Sequence, residues 1–238
     1  MVTIPLSNLA IAFIPVFVVL IIIWRWNIGL KSSLYAIFRM IIQLLLIGYV
    51  LTYIFETNSN YVVIAVLSIM LLSASWISLR TTSLPRKILF INAVSAMVIG
   101  GVTVLIIMTQ AVLMIEPWYS PSYLIPLAGM IFANCMNGIS LAAERLESEL
   151  SQGKSFKEAK VIALKTSLIP ITNMLLAVGL VSLPGMMTGQ ILSGVDPIIA
   201  VRYQIMVAWM IFGSGGLAAV LYLIFRIRQA KQNYGEIK

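Results

Sequence analysis

Side chains able to do chemistry are sparse in this chain, and they fall into four groups. Arg39 and Gln43 stand one helical turn apart within a long apolar run, the spacing that puts both on one face. Asn134, Asn137 and Asn173, with Asn92, supply amides inside other apolar runs. Met186, Met187, Gln190 and Asp196 follow a Pro184-Gly185 break. Glu144, Arg145, Glu147, Gly153 and Glu158 lie in the longest polar stretch, 142–166. None of these groups is a catalytic set. The chain has no histidine, which removes imidazole metal sites, Ser-His nucleophiles and HExxH chemistry together. Its one cysteine, Cys135, cannot form an internal disulfide. What remains is neutral amides, thioethers and one deep guanidinium, which suits conduction better than catalysis.

The elements that must position these groups are membrane spans. The composition is 61% hydrophobic and 10% charged, far from a soluble domain. Each crossing needs about 20 apolar residues, and seven such runs are present: 4–24, 34–55, 61–79, 88–108, 124–141, one around 171–184, and 203–225. Fourteen of the 16 Lys and Arg fall in alternate gaps between them or in the tail. Cationic loops stay cytoplasmic, so the pattern predicts an all-α integral membrane protein with its N-terminus outside and C-terminus inside. The net charge of +8 follows the cytoplasmic edge, so it points to anionic lipid and not to nucleic acid. Residues 1–238 read as a single transmembrane domain in the cell (plasma or inner) membrane. Trp24, Trp26, Tyr53, Tyr61, Trp118, Tyr119 and Tyr123 sit near the span ends, as an interfacial belt requires.

Local signals refine the picture. Pro15 is expected to kink the first span, and Gly100-Gly101 to allow close packing in the fourth. Gly129 and Ala133 form a small-xxx-small pair on the fifth, where the asparagines read first as packing glue. The sixth run is short: thirteen residues separate Ile171 from Pro184, about 20 Å of helix against a core of about 30 Å. It must begin earlier, near Thr166, or continue past Pro184 as a broken helix. Broken spans expose backbone only where they line a cavity, so Pro184 to Gln190 is a candidate cargo site. Residues 188–204 are either an outer loop or a re-entrant hairpin, with Asp196-Pro197 as helix cap and first-turn proline.

In the 142–166 stretch, Ala142 to Leu150 prolongs the fifth span as helix, Gly153 breaks it, and Ser155-Phe156-Lys157-Glu158 matches a capping box. Gln152-Gly153-Lys154-Ser155 looks like the end of a phosphate-binding loop. Ser148, however, stands where that motif needs its first glycine, and no strand precedes it. ATP and its Mg²⁺ therefore belong on another polypeptide if they are used at all. Glu147 and Gly153 have the spacing of the Glu-Ala-Ala-x-x-x-Gly loop of many ABC-importer permeases, with Ser148 and Glu149 replacing the alanines.

Leu183-Pro184-Gly185-Met186-Met187-Thr188-Gly189-Gln190-Ile191-Leu192-Ser193-Gly194-Val195-Asp196-Pro197, followed by Ala200-Val201-Arg202-Tyr203-Gln204-Ile205, closely resembles the hallmark of the FetB-type ABC permeases. Arg39 with Ile42-Gln43-Leu44, and Gly129-Met130-Ile131 with Asn134, also match that family's pattern. The family comprises proposed iron exporters, with plant relatives linked to aluminium tolerance and, for some, to nucleotide-sugar export. The resemblance implies a permease homodimer working with two copies of a soluble ATPase, which would drive the 144–166 protrusion. It implies no catalytic residue and no cofactor in this chain. A secondary transporter or channel is the alternative, although it usually needs a titratable intramembrane group, and arginine, effectively always charged, is a poor proton carrier. An intramembrane enzyme would lack a base.

Overall fold

The computed structural model describes residues 5–56 and 59–234. The described chain is eight helices with no strand, and seven of them are long and apolar enough to cross a bilayer. They are α1 (Ser7–Arg25), α2 (Leu30–Glu56), α3 (Asn60–Ser78), α4 (Arg86–Val112), α5 (Pro121–Ser151), α6 (Phe156–Ala177), the short α7 (Gly185–Leu192) and α8 (Pro197–Tyr234). By contacts the chain divides into two compact units, Met1–Glu56 and Thr57–Lys238.

The first unit is the α1–α2 pair, and it buries little of itself. Leu20 and Ile54 are buried, whereas most large apolar side chains of both helices are exposed, as lipid-facing helices leave them. α1 is interrupted at Phe13, two residues before Pro15. Pro15 has no N–H for the carbonyl of Ile11, and its ring crowds that turn. The expected kink is present. Residue 4, the proposed first residue of this span, lies outside the described residues.

The second unit is built around α4, α5 and α8, packed so closely that backbone meets backbone. A Cβ on Gly100 would stand 2.9 Å from the amide nitrogen of Ala218, and one on Gly138 2.8 Å from the carbonyl oxygen of Gly215. Gly100 and Gly101 thus act as expected. The Gly129–Ala133 pair does not make the tight crossing: Gly129 faces the Met70 side chain, and Ala133 is exposed. Gly138 does that work, because it lies in register with Gly215. Leu127, Ile131, Phe132, Cys135 and Ile139 of α5 fill the centre of this core, with Met97 of α4 and Met210 of α8. Two stretches of α4, Val98–Val102 and Ile107–Val112, widen to i→i+5 hydrogen bonding. The sequence carried no visible signal for this; such bulges mark helices adapted to a particular neighbour or function.

α6 settles the question of the short sixth run. It starts at Phe156, ten residues before the expected Thr166, and continues through Pro170 to Ala177 without extending past Pro184. Residues 188–204 hold the last turns of α7, a bend at Ser193–Gly194 and the first turns of α8. Asp196 caps α8: its Oδ1 accepts from the Ile198 amide at 2.8 Å, and Pro197 opens the helix.

Candidate functional site

Two features of the second unit could support transport, a set of cavities beside α7 and a polar elbow between α5 and α6. α7 is eight residues long and buries none of them fully. Its i, i+4 spacing puts Met186 and Gln190 on one face, lining a 350 Å³ cavity with Ser122, Tyr123, Met130 and Tyr203. Met187 turns to a different, 290 Å³ cavity beside α8. The two neighbouring methionines therefore do not form one thioether pair.

The wall of the 350 Å³ cavity is rich in acceptors and carries no formal charge. Gln190 Oε1 is buried without a hydrogen-bond partner. Pro126, also in the wall, has no N–H to offer the carbonyl of Ser122. Tyr123 and Tyr203 add hydroxyls, and Met130 and Met186 add thioethers. A third cavity of 140 Å³ is lined by Asn134, Asn137, Ser167 and Met174, with Pro170 interrupting the amide ladder of α6. Asn134 Nδ2 donates to the Met130 carbonyl at 2.8 Å within its own helix. No carboxylate or imidazole faces any of these spaces. Among the described residues no three His, Cys, Asp or Glu side chains come together as metal ligands.

Other sequence candidates lie elsewhere. Asn173 is exposed and lines none of these cavities. Asp196 is occupied as the α8 cap. Arg39 is half-buried and Gln43 exposed, both on α2 of the first unit. Tyr203 and Gln204 were not recognised as site residues in the sequence, because nothing local to them shows which neighbour their side chains turn to. α8 begins at Pro197, so both stand two turns into a helix.

The elbow is built from the helix ends upward. At 31 residues α5 is about 46 Å long, so it overshoots a hydrocarbon core of about 30 Å and its last turns project into water. It ends in a glycine-terminated cap. Gly153, at φ +82°, lets its own N–H reach the Leu150 carbonyl (3.0 Å) and the Lys154 N–H reach that of Glu149 (3.3 Å). α6 then starts with the expected capping box, Ser155 Oγ accepting from the Glu158 amide at 3.3 Å while Glu158 Oε2 accepts from the Ser155 amide at 3.3 Å. Ala142 and Leu146 of α5, Ala159 and Ala163 of α6, and Ala219 and Leu223 of α8 form a small core of their own beneath it.

Charge pairing locks this elbow. Glu149 is ion-paired with both Arg145 and Lys154. Its side chain is almost solvent-free, yet it is shielded by these immediate partners and not by depth in the protein. The hydrogen bond from Lys154, opposed by desolvation and aided by the charges of Arg145 and Lys154, holds its carboxyl below the usual range. A carboxylate whose folded pKa is depressed stabilises the fold above its unfolded value and stops doing so as pH falls through the folded one. Amide exchange at Lys154 is therefore expected to be insensitive to Glu149 titration from neutral pH to the ordinary carboxylate range. Below that range the protection of the Lys154 amide should fall, its exchange rising toward the intrinsic rate. Glu149→Gln, measured by the same hydrogen exchange, should remove this pH dependence.

Glu147 reaches in another direction. Its Oε2 accepts from the amide (2.7 Å) and hydroxyl (2.6 Å) of Ser83, in the turn joining α3 to α4. Thr81 in the same turn meets Ser140 of α5, hydroxyl to hydroxyl, at 3.2 Å. Of the five residues proposed for coupling, Arg145, Glu147, Gly153 and Glu158 are committed to internal architecture, and Glu144 is exposed. Sequence spacing alone gave no sign of the Ser83 partnership, which spans 64 positions.

A model of the uncharacterised protein family UPF0014 matches residues 6–230. The chain belongs to the UPF0014 family. Within it, the chain is 37% identical over 76% of its length to the UPF0014 membrane protein slr1647 of Synechocystis, covering 76% of that protein. It is 33% identical over 92% of its length to the "Probable iron export permease protein FetB" of Escherichia coli, covering 90% of that chain. It is 28% identical over 89% of its length to Protein ALUMINUM SENSITIVE 3 of Arabidopsis thaliana, covering 82%. No solved structure matches the chain. With seven spanning helices and membrane-permease relatives, this UPF0014 member is an integral, multi-pass membrane protein.

Proposed function

We propose that this protein is the membrane-spanning subunit of an ATP-driven exporter, residues 1–238 serving as one permease domain. In this reading two copies pair, and each engages a soluble ATPase from the cytoplasm. The elbow at Gly153 and the C-terminus face the cytoplasm, and the N-terminus faces outside. ATP and Mg²⁺ are bound by the ATPase, not by this chain. The observation that carries the reading is the elbow itself. A projecting helix end is capped, ion-paired, given its own small core and tied through Glu147 to a second turn at Ser83. A push on such a body moves α5, α6 and the α3–α4 turn together, as a lever must. Exposed Glu144, Lys157 and Lys165 are left to meet the motor.

The cargo reading follows from the cavity chemistry and from the name borne by the Escherichia coli relative. Neutral oxygens and thioethers are a poor destination for a bare ferrous or ferric ion, which favours anionic oxygen or imidazole ligands. They suit an iron complex whose own ligands carry the charge and present N–H or O–H groups to acceptors. The test is ATP-dependent uptake into inverted vesicles holding this protein and its ATPase, comparing free iron, other metals and chelated iron. Chelated iron is expected to be carried, and Gln190→Leu to lower its transport about tenfold by removing the one amide side chain from the cavity wall. Equal transport by Gln190→Leu, or transport without ATP, would count against the proposal.

A further inference from the structure

One face of the second unit is too polar for the lipid that would otherwise meet it. Asn137 is exposed within the apolar part of α5, and no described residue hydrogen-bonds its side chain. Asn134, three residues earlier on the same face, spends its Nδ2 on the Met130 carbonyl and keeps its Oδ1 as an acceptor. Beside them lies the 140 Å³ cleft, whose wall includes Gly138, Ser167 and Pro170. α6 widens this face with Pro170 and, one turn on, Asn173, both exposed. The Asn173 side chain likewise has no hydrogen-bond partner among the described residues. Hydrocarbon offers neither donor nor acceptor, so bare amides are costly there, and spanning helices turn them toward protein. The outer faces of α3 and α4 differ: Ile64, Ile69 and Leu72, and Ile91, Ile99 and Ile106, are exposed aliphatics, as lipid requires.

The chemistry of the face selects its cover. The cleft wall carries no formal charge, and its exposed polar groups are amides. An amide holds both donor and acceptor, so Asn137 finds its full complement in a second amide. A two-fold axis supplies one, because it sets each residue near the axis opposite its own copy. A charged face could not be doubled in this way, since like charges would meet.

We propose that the α5–α6 face is the contact between two copies of this chain, with Asn137 of each copy hydrogen-bonded to its counterpart across a two-fold axis. The inference rests on the two-copy arrangement proposed above and assigns the surface that makes it. Pairing covers both 140 Å³ clefts and brings them together within the membrane.

Cysteine cross-linking of the full chain in its own cell membrane tests the assignment. The background is Cys135→Ser, which removes the native thiol and keeps a donor for the Ser214 carbonyl. Copper-phenanthroline oxidation of Asn137→Cys is expected to give about tenfold more linked dimer than Ile69→Cys on α3 or Ile99→Cys on α4, because disulfides form only between closely placed residues. Subunit counting by single-molecule photobleaching of the tagged native chain measures the two-copy state separately. By the same counting, Asn137→Leu should weaken dimerisation about tenfold, and Asn137→Gln, which keeps donor and acceptor, should weaken it less. A dimer that links through Ile69→Cys or Ile99→Cys instead, or at all three positions alike, overturns the assigned face and leaves the two-copy reading standing. So does a dimer in which Asn137→Cys stays unlinked, or one that Asn137→Leu leaves unweakened. A native chain counted as single copies overturns both.

Discussion

In the proposed exporter, replacing Glu147 by Ala is expected to cut ATP-driven transport about tenfold while the membrane domain stays folded. The Glu147 carboxylate is the tie between the α5 overhang and the α3–α4 turn, through two short hydrogen bonds to Ser83. It lies at a solvent-accessible edge, so its loss should cost the fold only about 1 kcal/mol. The core around Leu127 and Ile131 is untouched. The mechanical consequence is larger than the thermodynamic one, because a push on the elbow would no longer carry the turn and α4 with it. Transport per ATP hydrolysed in inverted vesicles, alongside the thermal midpoint, separates these effects. Ser83→Ala should weaken coupling less, since its backbone amide can still donate to Glu147. A Glu147→Ala protein that transports normally would leave this tie without a role in coupling, and the lever reading would fail.

The second large effect concerns the α5–α8 crossing. Gly138→Val is expected to prevent formation of a stable membrane domain, whereas Gly213→Ala should be tolerated. At Gly138 a Cβ would lie 2.8 Å from the Gly215 carbonyl oxygen, and the obstacle is backbone that cannot rotate away. Even Ala should cost about 1–3 kcal/mol by overpacking, partly offset by its better helix propensity, and Val adds further clashing methyls. Gly213 lies in the same helix but has nothing within 4 Å of the added atom. Ala there should be neutral, or gain up to about 1 kcal/mol. Thermal unfolding of purified variants in detergent checks both; equal midpoints would show that the close approach does not limit packing.

How far this protein could be read in advance depends on the range of each interaction. The capping box at Ser155–Glu158, the Asp196–Pro197 helix start and the break at Gly153 were legible because each is settled within four or five residues. The family hallmark from Leu183 to Ile205 was likewise visible as a contiguous string. The close packing of Gly100 and Gly101 was visible as composition, but its partners Ala218 and Cys135 were not. The small pair at Gly129 and Ala133 pointed to the wrong place on α5. A glycine matters only where the facing helix also presents a small surface, and Gly215 faces Gly138.

The sequence by itself determined that this is an all-helical, seven-span membrane protein with one projecting elbow, because hydrophobic length and helix capping are local quantities. Only the tertiary structure decided what its few polar side chains do. It separated Met186 from Met187 and gave Glu147 to Ser83. It left Gln190 and Gln204 as unsatisfied acceptors beside two different cavities. Those outcomes depend on how helices rotate and cross, and in lipid that is set by small-residue contacts between segments far apart in the chain.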